Sequence, residues 1–305
     1  MSEKKFNLDS ALDQIGYGRF QTLSVWTLAL IRTSGLFAPM IFAFLIYEQK
    51  FLCTTEGDSI QYECSAEEIC TAKDAGSPLT YTVDESYEYY MNNWYVQMDL
   101  LCTPESSVSQ ILSWNLFGSF FSIVFSALPD SLGRKKSMHI GMIINLISQL
   151  VVIYATSIPA RAIGFFVEGL TSFKSITAIV WSTENVPLAN RPYALSAINV
   201  YSCLPSAIFG VYSLLISRDW YSLMLFNFAT NVLAYLLVFA LPESPRWLLY
   251  GGRTQEAIKS LNYMAWFNGC DKDQYIPEDA TFEEVEKSIL AKQARSDESG
   301  SQPRG

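Results

Sequence analysis

Six apolar stretches of about twenty residues each alternate with polar segments, and each is long enough to cross a hydrocarbon layer of about 30 Å as a helix. The stretches cover residues 25–47, 108–128, 138–158, 161–181, 193–216 and 221–241. A backbone inside a bilayer must satisfy its own hydrogen bonds, and a helix does so within a single segment. The pattern therefore predicts an all-α membrane protein with six transmembrane helices.

The alternative is a large soluble helical protein, in which helices average about 11–12 residues and carry a polar face. The composition favours the membrane, because 50% of the 305 residues are hydrophobic and only 17% are charged, mostly between the stretches. The net charge of −9 is concentrated in the segment 48–107 and in the C-terminal tail. The sequence contains no basic patch that would indicate a nucleic-acid partner.

Lysine and arginine residues collect at one end of the predicted bundle. They occur before residue 22, in the turn 134–136, and from Arg246 onward. Because cytoplasmic loops are enriched in these residues, we expect this end and both termini to be cytoplasmic. The polar N-terminal segment fits neither a signal peptide nor a transit peptide, so the first apolar helix is expected to direct insertion.

Four of the six cysteines lie in the segment between the first two predicted helices, on the side opposite the cytoplasm. They are Cys53, Cys64, Cys70 and Cys102. Disulfides are permitted on that side, and four cysteines allow three pairings, among which the sequence does not choose. Cys203 and Cys270 are expected to be reduced thiols.

The chain divides into four predicted parts. These are a cytoplasmic N-terminus (1–22), a six-helix bundle (23–241) with an outer loop (48–107), a cytoplasmic helical segment (242–295) and a disordered tail (296–305). Within the third part, Thr254 can begin a helix that ends near Asn268, with Gly269 as its stop. Thr281 and Glu284 fit the capping box of a second short helix.

Acidic residues and arginines recur at three helix ends on the predicted cytoplasmic side. A carboxylate and a guanidinium at a helix junction can pair and can also bind helix ends. One such turn is ordinary, but three on one face indicate a single network. Its predicted members are Asp130, Gly133 and Arg134 after the second helix, Glu184 and Arg191 after the fourth, and Glu243 and Arg246 after the sixth.

These turns resemble signatures of the major facilitator superfamily. Residues 126–135 read Ser-Ala-Leu-Pro-Asp-Ser-Leu-Gly-Arg-Lys, and residues 242–249 read Pro-Glu-Ser-Pro-Arg-Trp-Leu-Leu. The stretch 16–21 (Gly-Tyr-Gly-Arg-Phe-Gln) and the cysteine-bearing loop resemble one branch of it, the organic ion transporters of solute carrier family 22. Ser126 and Ser131 depart from the signature, which carries Gly and Arg there.

The resemblance implies the N-terminal six-helix half of a twelve-helix fold whose substrate site lies between two halves that rock against each other. It also implies that the network gates the cytoplasmic side. We expect a lone half to expose polar residues of its cavity wall, namely Asn115, Asn145, Gln149, Asn199, Asn227 and Asn231. Uncovered polar groups are unfavourable in lipid. A partner is therefore expected: a second copy, a separate C-terminal half or another membrane protein.

Charged residues inside a membrane are candidates for function. The candidates here are Arg32, Arg161, Glu168 and Lys174. Arg161 and Glu168 would share one helical stripe about 10 Å long, whereas Lys174 would be rotated by about 120° from Glu168 and need another partner. Recognition of a charged solute and internal pairing that fixes helix packing are both open interpretations.

The predicted function is transport of a small organic cation, anion or zwitterion by a half-length transporter that works with a partner or as a dimer. The alternative is a non-transporting structural subunit of a larger membrane complex. With one histidine, no metal-ligand spacing, no phosphate loop and no Gly-x-Ser-x-Gly, the chain is not expected to be an enzyme or to hold a metal or cofactor. The plasma membrane is the expected location, with an internal (endomembrane or mitochondrial inner) membrane as the alternative.

Overall fold

Long helices account for most of the chain in a computed structural model, which describes residues 5–55, 61–76 and 79–283. The helices are α1 (Leu8–Ile15), α2 (Arg19–Leu45), α3 (Ala66–Asp74), α4 (Trp94–Gln97), α5 (Glu105–Phe125), α6 (Leu128–Leu132), α7 (Arg134–Tyr154), α8 (Ile158–Leu170), α9 (Phe173–Glu184), α10 (Arg191–Ser202), α11 (Leu204–Leu215), α12 (Trp220–Val238), α13 (Pro245–Tyr250) and α14 (Thr254–Asn268). The strands are β1 (Lys5–Phe6), β2 (Phe51–Thr55), β3 (Tyr62–Cys64), β4 (Leu79–Val83) and β5 (Thr281–Phe282).

The prediction of six membrane helices is confirmed within these residues. The spans are Arg19–Leu45, Glu105–Leu132, Arg134–Tyr154, Ile158–Glu184, Leu188–Leu215 and Trp220–Val238. Each is long and apolar enough to cross a bilayer, so the chain is a multi-pass membrane protein. The spans form a bundle whose two ends we name by what they carry. The loop end bears residues 48–107, and the terminal end bears α1, α13 and α14.

Two of the spans are interrupted near their middle. The sequence did not predict the break in the fourth span, whereas Pro205 predicts a kink in the fifth. The fourth span breaks between α8 and α9, where the Thr171 hydroxyl donates to the Glu168 carbonyl (2.8 Å) and the Ser172 amide donates to the Gly169 carbonyl (2.9 Å). These local bonds replace the regular i to i−4 pattern of a helix. The fifth span breaks at Cys203, just before a proline in the first turn of α11.

Span two and span four cross closely. A Cβ added to Gly118 would contact the Phe166 carbonyl, and one added to Gly169 would contact the Asn115 carbonyl. Small residues let helix backbones approach in this way inside a membrane. The Asn115 amide donates to the Phe165 carbonyl at 3.0 Å and holds the crossing.

The expectation that polar side chains line an open wall is wrong for five of the six residues named for it. Asn115, Asn145, Gln149, Asn227 and Asn231 are all at most 7% exposed, and only Asn199 lies on the surface. The Asn231 amide donates to Asn145 Oδ1 at 2.8 Å and to Gln149 Oε1 at 3.1 Å. The bundle therefore satisfies these groups internally, by joining α7 to α12.

At the loop end, β2 lies between β3 and β4 in a three-stranded antiparallel sheet. Disulfides join Cys53 to Cys64 and Cys70 to Cys102, which chooses one of the three pairings left open by the sequence. Cys203 and Cys270 are free thiols, as expected. The first disulfide joins two strands of the sheet, and the second ties α3 to the segment that leads into span two.

At the terminal end, α1 packs against α14, and β1 pairs in parallel with β5. The helix predicted over Thr254–Asn268 is confirmed, and Gly269 ends it with a left-handed φ of 77°. Thr281 belongs to β5 and Glu283 is helical, so the second short helix stays a prediction whose further residues lie outside the described ones. Glu284 and the predicted disordered tail (296–305) lie outside the described residues.

Candidate functional site

Arg134 is the centre of the network at the terminal end. Its Nε and Nη2 donate to the two carboxylate oxygens of Glu184 at 3.1 and 3.0 Å, a bidentate pair whose side chains are 10% and 8% exposed. Its Nη1 lies 2.8 Å from Asp130 Oδ1 and donates to the Pro129 carbonyl at 2.9 Å. One guanidinium thus joins the ends of spans two, three and four through a planar donor geometry that lysine lacks.

Glu243 binds backbone rather than an arginine side chain. Its Oε1 accepts from the amides of Arg134 (2.9 Å) and Lys135 (3.1 Å) at the first turn of α7. The free amides and partial positive charge of a helix N-terminus favour a carboxylate there. Gly133, with φ of 103°, directly precedes this turn and leaves no room for a side chain beside Glu243.

Asp9, on α1, joins the other two arginines. Its Oδ1 accepts from Nη2 of Arg246 at 2.8 Å and from Nη2 of Arg191. Arg191 is further fixed by donation from Nε to the Thr183 carbonyl at 3.1 Å. The sequence interpretation did not place Asp9 in the network. Its position in the first turn of a short amphipathic helix gave no sign of which arginines it would meet.

The predicted acid–arginine pairs within single turns are therefore wrong for two of the three turns. Glu184 pairs with Arg134 instead of Arg191, and Glu243 caps α7 instead of pairing with Arg246. Only Asp130 and Arg134 pair within their own turn. The six charged residues do meet at one end, in two groups: an Arg134 group with Asp130, Glu184 and Glu243, and an Asp9 group with Arg191 and Arg246.

Among the charges predicted inside the membrane, Arg161 lies at the loop end and is 1% exposed. Its guanidinium carbon lies 4.1 Å from the ring centroid of Trp94 and 5.2 Å from that of Trp220. Its Nε donates to the Ala155 carbonyl at 2.9 Å, and its Nη2 donates to Gln97 Oε1 at 3.1 Å. These contacts attach the loop to the bundle and favour the packing role over solute recognition.

Glu168 and Lys174 are 2% and 1% exposed, and their charged atoms have no hydrogen-bond partner among the described residues. The expectation that Lys174 needs a partner other than Glu168 stays a prediction, because Lys174 Nζ makes no hydrogen bond with Glu168 or with any other residue in the described part of the chain. A Cβ on Gly35 would lie 2.9 Å from Lys174 Nζ, which places the ammonium against α2. Arg32, also on α2, has a buried Nε without a partner in the described part of the chain.

The comparison with known families agrees with this architecture. The profile of the family described as "Sugar (and other) transporter" matches residues 59–299, which is more than half of the chain. The chain belongs to this family. Its members are transporters, which confirms that the chain is not an enzyme, and six spans in this order form an N-terminal half of the major facilitator fold.

Curated relatives include transporters from animals and plants. A "Solute carrier family 22 member 15-like" protein of Xenopus laevis is 25% identical over 225 residues, 73% of this chain and 45% of its own length. The "Beta-alanine transporter" of Drosophila melanogaster is 29% identical over 59% of this chain and 30% of its own length. "Organic cation/carnitine transporter 4" of Arabidopsis thaliana is 30% identical over 56% of this chain and 33% of its own length. These names confirm the resemblance to solute carrier family 22, and the chain spans less than half the length of the relatives it matches.

The two departures from the superfamily signature have visible local consequences. The Ser126 hydroxyl donates to the Ile123 carbonyl at 2.6 Å, and the Ser131 hydroxyl donates to the Leu128 carbonyl at 3.1 Å. Both serines therefore bond within their own helices and add no ion pair. The signature arginine that Ser131 replaces would have added a second positive charge beside Asp130, so the Arg134 group holds fewer charges than the family pattern provides.

Proposed function

We propose that this chain takes part in the transport of small organic ions across a membrane, as one half of a two-half carrier. The observation that carries the proposal is the Arg134 group, in which one guanidinium and three carboxylates join the ends of four spans. Because these contacts are ionic and hydrogen-bonded, they can break and re-form without unfolding any helix. Such a contact set suits an end that closes in one transport state and opens in the other.

The substrate class follows the relatives, whose names include β-alanine, organic cations and carnitine. A small organic cation, anion or zwitterion is the proposed cargo. Arg32, Glu168 and Lys174 remain candidates for solute recognition, although Glu168 and Lys174 are enclosed by the bundle in this structure. Access to them would require the spans to separate, as the rocking of two halves could provide.

A partner is part of the proposal. The buried state of Asn145, Gln149 and Asn231 removes the argument that lipid-exposed polar groups demand one. The relatives that match over 73%, 59% and 56% of this chain extend over more than twice the matched length, and we propose that a further polypeptide segment supplies what corresponds to the rest. The proposed partner is a second copy, a separate C-terminal half or another membrane protein. The membrane is proposed to be the plasma membrane, with both termini cytoplasmic and the disulfide-bearing loop outside.

The test is uptake into proteoliposomes that contain the purified chain alone or with candidate partners. Labelled β-alanine and carnitine represent zwitterions, tetraethylammonium represents cations and benzoate represents anions, and protein-free vesicles give the background. Saturable uptake that excess unlabelled solute suppresses would support the proposal. Absence of uptake from every assembly state would reject it.

The second candidate function is a non-transporting structural subunit of a larger membrane complex. It is favoured by one observation, namely that the Ser126 and Ser131 hydroxyls bond only within their own helices where the family signature carries Gly and Arg. Co-purification with a fixed set of membrane proteins, together with silent proteoliposomes, would support this candidate over transport.

A further inference from the structure

A cavity of about 390 Å³ opens at the loop end between three segments that are distant in sequence. Its aromatic lining is Phe44 and Tyr47 at the end of span one, Tyr89 and Tyr90 of the loop, and Phe209 of α11. We call it the aromatic pocket. Its volume lies within the range of about 300–1,000 Å³ that is usual for small-molecule sites. It is separate from the charge network, which lies at the opposite end of the bundle.

Hydrogen bonds join the loop wall of the pocket to two other parts of the bundle. The side-chain amide of Asn93 (Nδ2) donates to the carbonyls of Phe44 (3.0 Å) and Tyr47 (2.9 Å), which joins the loop to the end of span one. The Asn92 amide donates to the Arg218 carbonyl at 2.9 Å, and the Trp220 amide donates to the Asn92 carbonyl at 3.2 Å. The protein's own hydrogen bonds thus hold the loop wall against the ends of spans one and six, which favours a preorganised site.

The aromatic faces are available to a ligand. Tyr89 is 59% exposed, Tyr47 is 43% exposed and Phe44 is 41% exposed, although large aromatic side chains are ordinarily well buried. The rings of Phe44 and Phe209 lie 4.5 Å apart and form a continuous wall. Faces of this kind attract ammonium groups through the ring quadrupole, most strongly where water is excluded.

One carboxylate and one guanidinium complete the lining. Glu88 has no hydrogen-bond or ion-pair partner among the described residues, and Arg218 is fixed by donation from Nη1 to the Tyr87 carbonyl at 3.4 Å. Burial, followed by the negative charges of Glu85 and Asp219, raises the pKa of Tyr90 above its ordinary value. The pocket therefore offers a negative, aromatic region for an ammonium and a single positive group for a carboxylate.

We propose that the aromatic pocket binds a small zwitterion, with its ammonium group against Tyr89 and Glu88 and its carboxylate against Arg218. This inference deepens the proposed function, on which it rests for the expectation of an organic-ion ligand. It adds a binding site at the loop end of the bundle, where a solute is held before it reaches the interior. A purely cationic ligand would leave Arg218 unmatched, and an anion would face the carboxylates.

Calorimetric titration of the whole chain in lipid nanodiscs tests the ligand chemistry with matched solutes. Glycine betaine carries both charges, 3,3-dimethylbutanoate is its isostere without the positive charge, and choline lacks the carboxylate. Betaine is expected to bind most tightly, with a loss of roughly twofold to thirtyfold when the positive charge is removed. No saturable binding of betaine, or equal binding of 3,3-dimethylbutanoate, would overturn the proposal without the need for a variant.

Substitutions then locate the site. Tyr89→Leu should weaken betaine binding by the same factor, Tyr89→Phe should retain most of it, and Arg218→Gln should weaken betaine while leaving choline unchanged. Tyr62→Leu is the matched control, because Tyr62 is an exposed tyrosine of the same loop region outside the pocket. Equal effects of Tyr89→Leu and Tyr62→Leu would reject the assignment. Binding of betaine without uptake would support the proposed site and reject the proposed transport function. Uptake without binding of betaine would support transport and reject the proposed site.

Discussion

At the terminal end of the bundle, helix ends meet through carboxylates and guanidiniums, whereas at the loop end the loop is tied together by disulfides and contacts the helix ends through aromatic rings and hydrogen bonds. Arg134 pairs with Glu184 at the first end, and Arg161 stacks on Trp94 at the second. Both arginines are buried, but only Arg134 faces carboxylates. The first set of contacts can exchange partners, while the second includes covalent bonds that cannot. The difference supports the proposal that the terminal end is the one that opens.

Among the changes that test this comparison, Arg134→Ala is expected to have the largest effect on the free energy of unfolding. The substitution leaves Glu184, whose side chain is 8% exposed, without its partner, and loss of one member of a buried pair costs about 3–5 kcal/mol. Denaturant unfolding of the detergent-solubilised protein measures the change in free energy of unfolding. Lys136→Ala is the control, because Lys136 is exposed and follows Arg134 by two residues on the same helix. Equal losses in the two variants would contradict the central role given to Arg134.

Removal of a disulfide tests the loop end. Replacing Cys70 and Cys102 by serine opens a loop with a sequence separation of 32 residues, for which loop entropy predicts a loss of about 3–4 kcal/mol. The same change at Cys53 and Cys64, with a separation of 11, should cost about 1 kcal/mol less. Limited proteolysis should report the loss in the loop, with the spans unaffected. A larger loss for the shorter loop would show that packing dominates there.

A smaller effect is expected from Asp9→Asn, which weakens the Asp9 group without changing the side-chain shape. Asp9, Arg191 and Arg246 have side chains that are 35%, 21% and 27% exposed, so solvent screens the interactions and a loss of about 1 kcal/mol is expected. The loss should shrink as salt is added. Asp13→Asn, on the exposed face of the same helix, should change nothing. A salt-independent loss would mean that Asp9 acts through packing.

The smallest effect concerns pH at the loop end. Burial, then the charge and hydrogen bond of Glu48, raises the pKa of Tyr95 to about 12. Because the folded-state pKa is raised, the stabilisation is complete below the ordinary pKa of about 10 and is lost as pH rises through about 12. The difference between the ultraviolet titration curves of the unchanged protein and of Tyr95→Phe should show a single tyrosinate step at about pH 12. The matching difference for Tyr62→Phe should lack that step, and a step for Tyr95 at about pH 10 would refute the assignment.

Much of the fold was predictable because membrane-spanning helices can be recognised from their local composition. The six apolar stretches correspond to the six spans, and the helix Thr254–Asn268 was recognised from its cap, periodicity and terminal glycine. The same local reasoning could not detect the break after Leu170. That break depends on Thr171 and Ser172 bonding to the preceding turn, and such residues are also common inside uninterrupted helices.

The candidate site was predictable in membership but not in pairing. Six of the charged residues at the terminal end were identified from their positions at helix ends, yet Asp9 was missed and Glu184 was assigned to the wrong arginine. When only sequence spacing is known, two charged residues of the same turn are taken as the nearest partners. In the folded bundle, the end of span four lies beside the start of span three, so Arg134 meets Glu184 across 50 residues.

The sequence by itself determined that the chain crosses a membrane six times and which charged residues gather at one end. Hydrophobicity and helix length are properties of single segments, so they can be read without knowing what each segment touches. Only the tertiary structure decided that Asp9 joins two arginines, that Glu243 caps α7, and that three distant segments enclose the aromatic pocket. Those outcomes depend on how helices rotate and cross, because the energy of a charge or a ring is set by its neighbours in space.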